Sequence, residues 1–318
     1  MVNILVTGGT GFVGSELVGA LKKRRGFNVT VFDRTIKNRL PGVKYIQGNI
    51  TNSEEVIRAV RGQDYVYHLA AILDESCQRE IMFDVNVGGT VSVLEACRKN
   101  GSLKRLVYLS TDGVMAETEK KSNEKAPYGP RTNYQKSKTM AERTVLEFYR
   151  RYKLPVIIIR AALLYGPNSY WASIIRKAQD AFPVIGSGDN KWHILYIKNL
   201  IPVLVKARTK GKNGNVYLIA DDEVHTYAEM YRILREELGV QKEPKNVPVW
   251  LAKLMALFLS VGRKKSIVSP QHIDRLLKNK WYDISKAKRH LAYRPGYNFN
   301  KGIRETIKYL RDKGVLKR

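Results

Sequence analysis

Acidic residues are scarce in this 318-residue chain: 29 Asp and Glu stand against 56 Lys and Arg, a formal net charge of +27. That deficit excludes an acidic surface and leaves one that attracts anions: nucleotides, phosphorylated substrates, nucleic acid or an anionic membrane. The imbalance is steepest over residues 262–318, where 17 basic side chains meet 4 acidic ones. No nucleic-acid motif accompanies it, so the charge reads as a solvated basic face and no specific nucleic-acid partner is expected. Cysteine is nearly missing. Cys77 and Cys97 form no close-spaced motif, which fits a reducing, cytoplasmic setting. The five histidines have no metal-ligand spacing, and no metal site is expected. Long apolar runs are absent too. The longest, residues 247–261, is broken by Pro248, Lys253 and Ser260 and is too short to span a bilayer. The chain enters a strand at once, so no signal peptide is expected. There is no internal repeat and no low-complexity tract.

What is present begins at Val2. An apolar run to Val6 turns through Thr7-Gly8-Gly9-Thr10-Gly11-Phe12-Val13-Gly14 into the helical spacing of Leu17, Val18 and Leu21. Strand, tight glycine turn and helix make a dinucleotide site. Gly8 permits the turn, Gly11 lets the backbone approach a pyrophosphate, and Gly14 lets the helix pack close to the sheet. The helix N-terminus offers free N–H groups to the phosphates. Asn28 to Phe32 reads as a second strand ending at Asp33, nineteen residues beyond Gly14. A carboxylate there accepts both ribose hydroxyls of NAD and repels the 2′-phosphate of NADP. Arg34 offsets part of that repulsion, and the charge argument still favours NAD.

The pattern then alternates. Strands are expected at 43–46, 64–71, 103–109 and 154–159. Helices are expected from Ser53 as N-cap to Val60, over 80–100 and over 133–152. Such alternation implies an α/β fold, a doubly wound parallel sheet with helices on both faces. Beyond residue 160 it loosens, with helices expected over 172–182, 193–208 and 226–239. The helix 250–259, apolar on nearly all sides, reads as buried. The alternative is a membrane-facing wall, helped by Arg263-Lys264-Lys265.

Tyr134 and Lys138 lie four apart and share one helix face. A phenol is a weak acid at neutral pH, and a neighbouring ammonium lowers its pKa. A hydroxyl at a facing strand end would hold a substrate oxygen. Thr111 supplies one, and Ser110 beside it is the other candidate. His68 reads as a buried strand residue and Asn86 as a helix residue supporting the site.

These residues resemble the extended short-chain dehydrogenases/reductases, the NAD-dependent epimerase/dehydratase superfamily. The resemblance rests on residues 7–14, His68-Leu69-Ala70-Ala71, Asn86-Val87-Gly88-Gly89-Thr90, the Tyr134/Lys138 pair, and Arg160 with Tyr165-Gly166-Pro167. It implies a Rossmann domain over 1–160 and a mainly substrate-binding lobe over 161–318, with some segments returning to the first. It implies Tyr134 as acid/base, Lys138 on the nicotinamide ribose, and Thr111 on the reacting oxygen. It places Gly8, Gly11, Phe12, Val13, Asp33, Arg34, Asn49, Ile50, Leu69, Ala70, Ala71 and Asn86 around the cofactor, with Asn49 and Ile50 at the adenine. A homodimer through the helices 80–100 and 133–152 is usual in such proteins.

Departures bear on the substrate. Ser110-Thr111-Asp112-Gly113-Val114 resembles the Ser-Thr-Asp-Glu-Val stretch of nucleotide-sugar dehydratases, but Gly113 replaces the Glu that serves as base. Leu163 and Trp192 stand where nucleotide-sugar epimerases carry an Asn and an Arg. Residues 186–193, 247–253 and 282–288 resemble the 3β-hydroxysteroid dehydrogenase and dihydroflavonol reductase branch instead. The expectation is hydride transfer at a secondary alcohol or ketone carbon of an apolar, lipid-like substrate. A nucleotide-sugar 4-epimerase is the alternative. A non-catalytic NAD-sensing or nucleic-acid-binding protein is the third reading, opposed by the intact Tyr134/Lys138 pair.

Overall fold

Seven apolar segments pair into one parallel sheet: β1 (Val2–Thr7), β2 (Phe27–Asp33), β3 (Lys44–Gln47), β4 (Tyr65–His68), β5 (Arg105–Thr111), β6 (Val156–Ala161) and β7 (Val216–Ile219). The computed structural model describes residues 1–179, 183–241, 245–260, 273–274 and 276–316. Spatial order is β7-β6-β5-β4-β1-β2-β3, so the chain reverses direction across the sheet between β1 and β4. In open sheets of this kind the ligand crevice lies at such a reversal, outside the carboxyl ends of the strands.

Strict alternation inside the strands divides the core in two. Ile157 and Ile159 pack with Leu17, Val18, Leu21, Leu200 and Leu204 on one face. Val156 and Ile158 pack with Val60, Leu94, Ala141 and Val145 on the other. Both faces are covered, which is why the β6 strand is apolar throughout. The first face receives α1 (Phe12–Lys22). The second receives α2 (Ser53–Val60), the segment of α3 (Arg79–Phe83) and α4 (Gly89–Lys99), and α5 (Asn133–Tyr152). The helix over 133–152 runs as its spacing predicts.

Several elements differ from the sequence expectation. The N-cap of α2 is Asn52, not Ser53; its side chain accepts from the N–H groups of Glu54 and Glu55. The expected helix over 80–100 carries a π-helical turn at Asp84–Gly88 between α3 and α4. An added Cβ at Gly89 would lie 2.7 Å from Ile50, so only glycine lets this helix come so close to the β3 loop. Beyond β6, α6 covers Ser169–Gln179, and the last residues of its expected span lie outside the described residues. The start of the expected 193–208 helix is a strand, Ile194–Tyr196, paired in parallel with Leu163–Tyr165; α7 covers Ile197–Ala207. Next come β7, back in the main sheet, and α8 (Tyr227–Leu238), with a complete capping box of Thr226 and Glu229.

The apolar helix forms as α9 (Val249–Ser260), but it is not buried. Ala252 and Ala256 dock on Ile185 and Ile273, while Trp250 is 67% exposed and Leu254 44%. Small residues make the docked stripe and large ones face outward. Arg263-Lys264-Lys265 lies outside the described residues. No helix among the described residues is long and apolar enough to cross a membrane.

This packing sets a contrast that chemical denaturation can check. Trp250→Ser and Leu254→Ser should each change the unfolding free energy by no more than about 0.5 kcal/mol. Ala256→Asp, which buries an unpaired charge against Ile185 and Ile273, should cost roughly 2 kcal/mol or more. Equal costs would contradict the docking orientation of α9.

Candidate active site

The glycine turn follows β1 directly. Gly8 has φ +71°, and an added Cβ would sit 2.7 Å from the backbone nitrogen of Ala70. The turn therefore presses against the end of β4, and only glycine fits. At Gly14 an added Cβ would strike the carbonyl oxygen of Gly8. Gly11 is the N-cap of α1 and has no side chain to cap it, and the first turn carries no acidic residue. The first-turn N–H groups, including those of Phe12 and Val13, thus have no built-in acceptor, the arrangement that receives a phosphate.

Asp33 closes the other side of this cradle. Its Oδ2 accepts from the Thr10 backbone N–H at 3.0 Å and from the Thr10 hydroxyl at 2.7 Å. One oxygen holds the turn in place, and Oδ1 is left for a ribose. Thr10 has an orienting role that the motif reading passed over. Arg34 is exposed beside Asp33. Asn49 is exposed, with its Oδ1 accepting from Thr51 N–H at 3.2 Å, and Ile50 is buried beneath it. Leu69, Ala70 and Ala71 follow β4 and are half-buried at the crevice.

Asn86, in the π-helical turn, is a buried clamp. Its Oδ1 accepts from Ile72 N–H at 2.7 Å, and its Nδ2 donates to the Ile72 carbonyl and to Ser137 Oγ, both at 2.9 Å. It ties the segment after β4 to α5. His68 is a buried strand residue, as expected. The Thr90 hydroxyl donates to the Asn86 carbonyl, so His68 Nε2 donates to Thr90 and Nδ1 accepts from Thr7. Burial first, and then the charge of Lys138, lowers its pKa to about 3, and the ring stays neutral.

Helix α5 sets Tyr134, Lys138 and Glu142 along one face, against the end of β5. The Thr111 hydroxyl bears on the Tyr134 phenol. Lys138 Nζ donates to the Leu109 carbonyl at 2.8 Å and stands 4.2 Å above the Tyr108 ring. Glu142 is fully buried and accepts from Ser110 Oγ at 2.5 Å, from the Tyr128 hydroxyl at 2.8 Å and from Arg160 Nη2 at 2.6 Å. Ser110 is therefore committed to the interior, and Thr111 is the strand-end hydroxyl that faces Tyr134. Arg160, near the end of β6, is the buried partner of Glu142. Glu142 was legible as the third member of the 134/138 helix face.

The electrostatics differ from the simple expectation. The Tyr134 phenol is pushed up, not down. Burial is the first cause, followed by the Asp112 charge; the Thr111 hydrogen bond opposes them. Burial also lowers the Lys138 pKa to about 7, against the pull of Glu142. The ammonium is turned to a backbone carbonyl and an aromatic face, so it is not the charge that tunes the phenol in this arrangement.

A doubly wound sheet with this uncapped glycine turn and an acidic residue closing β2 defines a dinucleotide-binding α/β enzyme. Residues 4–220 match the sequence model of the NAD dependent epimerase/dehydratase family, and the chain belongs to that family. It is 30% identical to a 3-beta-hydroxysteroid dehydrogenase of Mycolicibacterium neoaurum, over 97% of this chain and 91% of that protein. It is 28% identical to a UDP-glucose 4-epimerase of Vibrio cholerae, over 96% and 94% respectively. A dTDP-glucose 4,6-dehydratase of Bacillus anthracis, solved in complex with NAD, superposes with a TM-score of 0.79 at 25% identity, over 99% of this chain and 100% of that one.

The buried Lys138 makes stability depend on pH. Its folded pKa lies below its unfolded value of 10.5, so the fold disfavours the ammonium. The cost is full below about pH 7 and fades as pH rises toward the unfolded pKa. Lys138→Met should therefore raise the unfolding free energy more at roughly pH 6 than at roughly pH 9, by on the order of 2 kcal/mol. Equal effects at both pH values, measured by denaturant titration without added nucleotide, would contradict this.

Proposed function

We propose that this enzyme transfers a hydride between NAD and a secondary carbinol carbon of an apolar alcohol or ketone, with Tyr134 moving the hydroxyl proton. The observation that carries the reading is that α5 brings Tyr134 and Lys138 to the end of β5, where Lys138 Nζ bonds the Leu109 carbonyl beside Thr111, two strands from the Gly8–Gly14 turn. NAD, when bound, supplies the hydride acceptor and, in its oxidised form, a positive ring charge. The residues present fit it: the uncapped N–H groups of Phe12 and Val13 for the pyrophosphate, Asp33 with Arg34 for the ribose, Asn49 and Ile50 for the adenine, and Leu69 to Ala71 for the segment between. Lys138 takes the nicotinamide ribose, and Asn86 holds the wall. Residues 161–318 mainly form the substrate side.

Burial keeps the proton on Tyr134 until a positive charge or the reacting oxygen arrives beside it. Thr111 holds that oxygen. Gly113 argues against water elimination. An added Cβ there would approach the side chain of Gln135 to 3.1 Å, and Gln135 completes the capping box of α5. A glutamate base at 113 would press on that cap. The apolar class is supported by Leu163 and Trp192, whose Nε1 is spent on the Leu276 carbonyl at 3.3 Å. A nucleotide-sugar 4-epimerase is the second reading, favoured by the fold of a Thermotoga maritima UDP-glucose 4-epimerase, with a TM-score of 0.80 at 25% identity.

We also propose a homodimer through α3, α4 and α5, which expose Ile81, Val91 and Met140, the last by 48%. Apolar side chains presented by neighbouring helices favour a second copy of the same face. Met140→Glu should convert a dimer to a monomer in light scattering, and an unchanged mass would remove this surface from the interface.

The test of function is NADH formation with a 3β-hydroxysteroid, run beside UDP-glucose epimerisation. Tyr134→Phe should lower turnover by about a thousandfold or more while NAD binding stays within a few-fold. Wild-type turnover in that variant sinks the acid/base assignment. Asp33→Ala should weaken NAD more than NADP, and an unchanged ratio of dissociation constants removes Asp33 from the ribose.

A further inference from the structure

Asp112 joins the catalytic strand end to a segment 170 residues away. Its Oδ1 accepts from the Thr111 hydroxyl at 3.1 Å. Its Oδ2 accepts from the Tyr282 hydroxyl at 2.7 Å. Thr111 Oγ1 also accepts from Gly113 N–H at 3.1 Å, so both its proton and a lone pair are directed from this one turn.

Tyr282 is held more firmly than a surface tyrosine could be. It is buried, and its ring lies nearly parallel to that of His193, with centroids 5.8 Å apart and planes at 17°. Tyr282 N–H donates to His193 Nδ1 at 3.2 Å, and His193 Nε2 donates to the Asp221 carbonyl at 2.5 Å. Burial lowers the His193 pKa, so the ring is neutral in the tautomer those two bonds require. The flanking backbone is pinned on two sides. Ser122 N–H donates to the Trp281 carbonyl at 2.9 Å, Asp283 N–H donates to the Ser122 carbonyl at 2.7 Å, and His193 N–H donates to the Lys280 carbonyl at 2.8 Å. The hydroxyl of Tyr282 thus arrives at Asp112 on a preset path.

We propose that Tyr282 is a positioning residue of the active site: it anchors the Asp112 carboxylate, which fixes the Thr111 hydroxyl beside Tyr134 and ties the C-terminal segments to the acid/base group. This rests on the reading of Thr111 and Tyr134 given above. The geometry separates it from a merely structural tyrosine, because its hydroxyl ends on the same carboxylate that takes the Thr111 hydroxyl. The groups that bear on Tyr134 are Thr111 and Asp112 from the β5 end and Glu75 from the segment after β4; Lys138, on its own helix, is turned to the Leu109 carbonyl. A carboxylate held by two hydroxyls keeps one position among them; a released one turns to water.

The test is the ionisation of Tyr134 with saturating NAD. It is read as the phenolate absorbance difference between each protein and its Tyr134→Phe counterpart. Asp112→Asn should lower the midpoint by about one pH unit, since a neighbouring negative charge is removed. Tyr282→Phe keeps the ring on His193 and should move the midpoint part of the way in the same direction. In the double variant the effect of Asp112→Asn should be smaller than in the wild type. A Tyr282→Phe midpoint equal to wild type, a fully additive double variant, or no difference among the proteins overturns the proposal. The titration needs no substrate, so it stands apart from the turnover test: loss of the acid/base assignment would show as retained activity in Tyr134→Phe, whatever these midpoints do.

Discussion

The buried carboxylate of Glu142 decides where α5 lies on the sheet. It is fully enclosed, so it persists only because Ser110, Tyr128 and Arg160 all donate to it. Removing one partner of such a pair leaves an uncompensated charge and costs about 3–5 kcal/mol. The partners come from β5, the loop before α5 and β6, so the helix is held to the sheet at one register. Two turns up the same face stands Tyr134, and one turn up stands Lys138. Their meeting with Thr111 and Leu109 follows from the anchor at 142. The reactive end of the helix needs little holding of its own.

The cofactor side is fixed by a different device, the near absence of side chains. Gly8 and Gly14 bring the turn, the β4 end and α1 closer than any Cβ permits. Closeness of this kind leaves backbone N–H groups to line the turn, and these are what a pyrophosphate takes. The carboxylate on this side, Asp33, is itself tied into the turn by Thr10. The two devices meet at Asn86, which bonds the segment after β4 to Ser137 on α5. A change in either half is felt at the other through one amide.

This explains which parts were legible in the sequence. The sheet, α1 and α5 could be read because periodicity and glycine spacing are local signals. The pairing of Tyr134 with Lys138 is equally local, a matter of helical spacing. Asn52 displaced Ser53 as cap because both residues can cap, and only the turn after Ile50 decides which oxygen reaches the Glu54 and Glu55 amides. The strand Ile194–Tyr196 was hidden because its partner, Leu163–Tyr165, lies about thirty residues upstream in sequence. The direction of the Tyr134 shift was hidden for a related reason. Spacing shows that a lysine is near, but not that its ammonium turns to Leu109. The Arg160–Glu142 pair and the Tyr282–Asp112 bond depend on separations of 18 and 170 residues, which no local pattern reports. Exposure of α9 was misread because mean apolarity does not distinguish a helix docked by two alanines from one enclosed on all sides.

The substrate side follows from where charge is spent. A net charge of +27 suggests anion binding everywhere, yet two basic residues buried near the β5 end are already engaged: Arg160 by Glu142, and Lys138 by a backbone carbonyl and a ring. At the two positions where nucleotide-sugar epimerases, which this chain resembles, carry an Asn and an Arg stand Leu163 and Trp192, and the indole N–H of the latter is directed to the Leu276 carbonyl. Beside Thr111 stands a carboxylate, Asp112, held by two hydroxyls. On the proposed function, the substrate is bound by apolar area and positioned by a few hydroxyls. That is the arrangement suited to a secondary alcohol on an apolar body. Long-range attraction by the outer charge acts on encounter with an anionic cofactor, not on recognition of the reacting carbon.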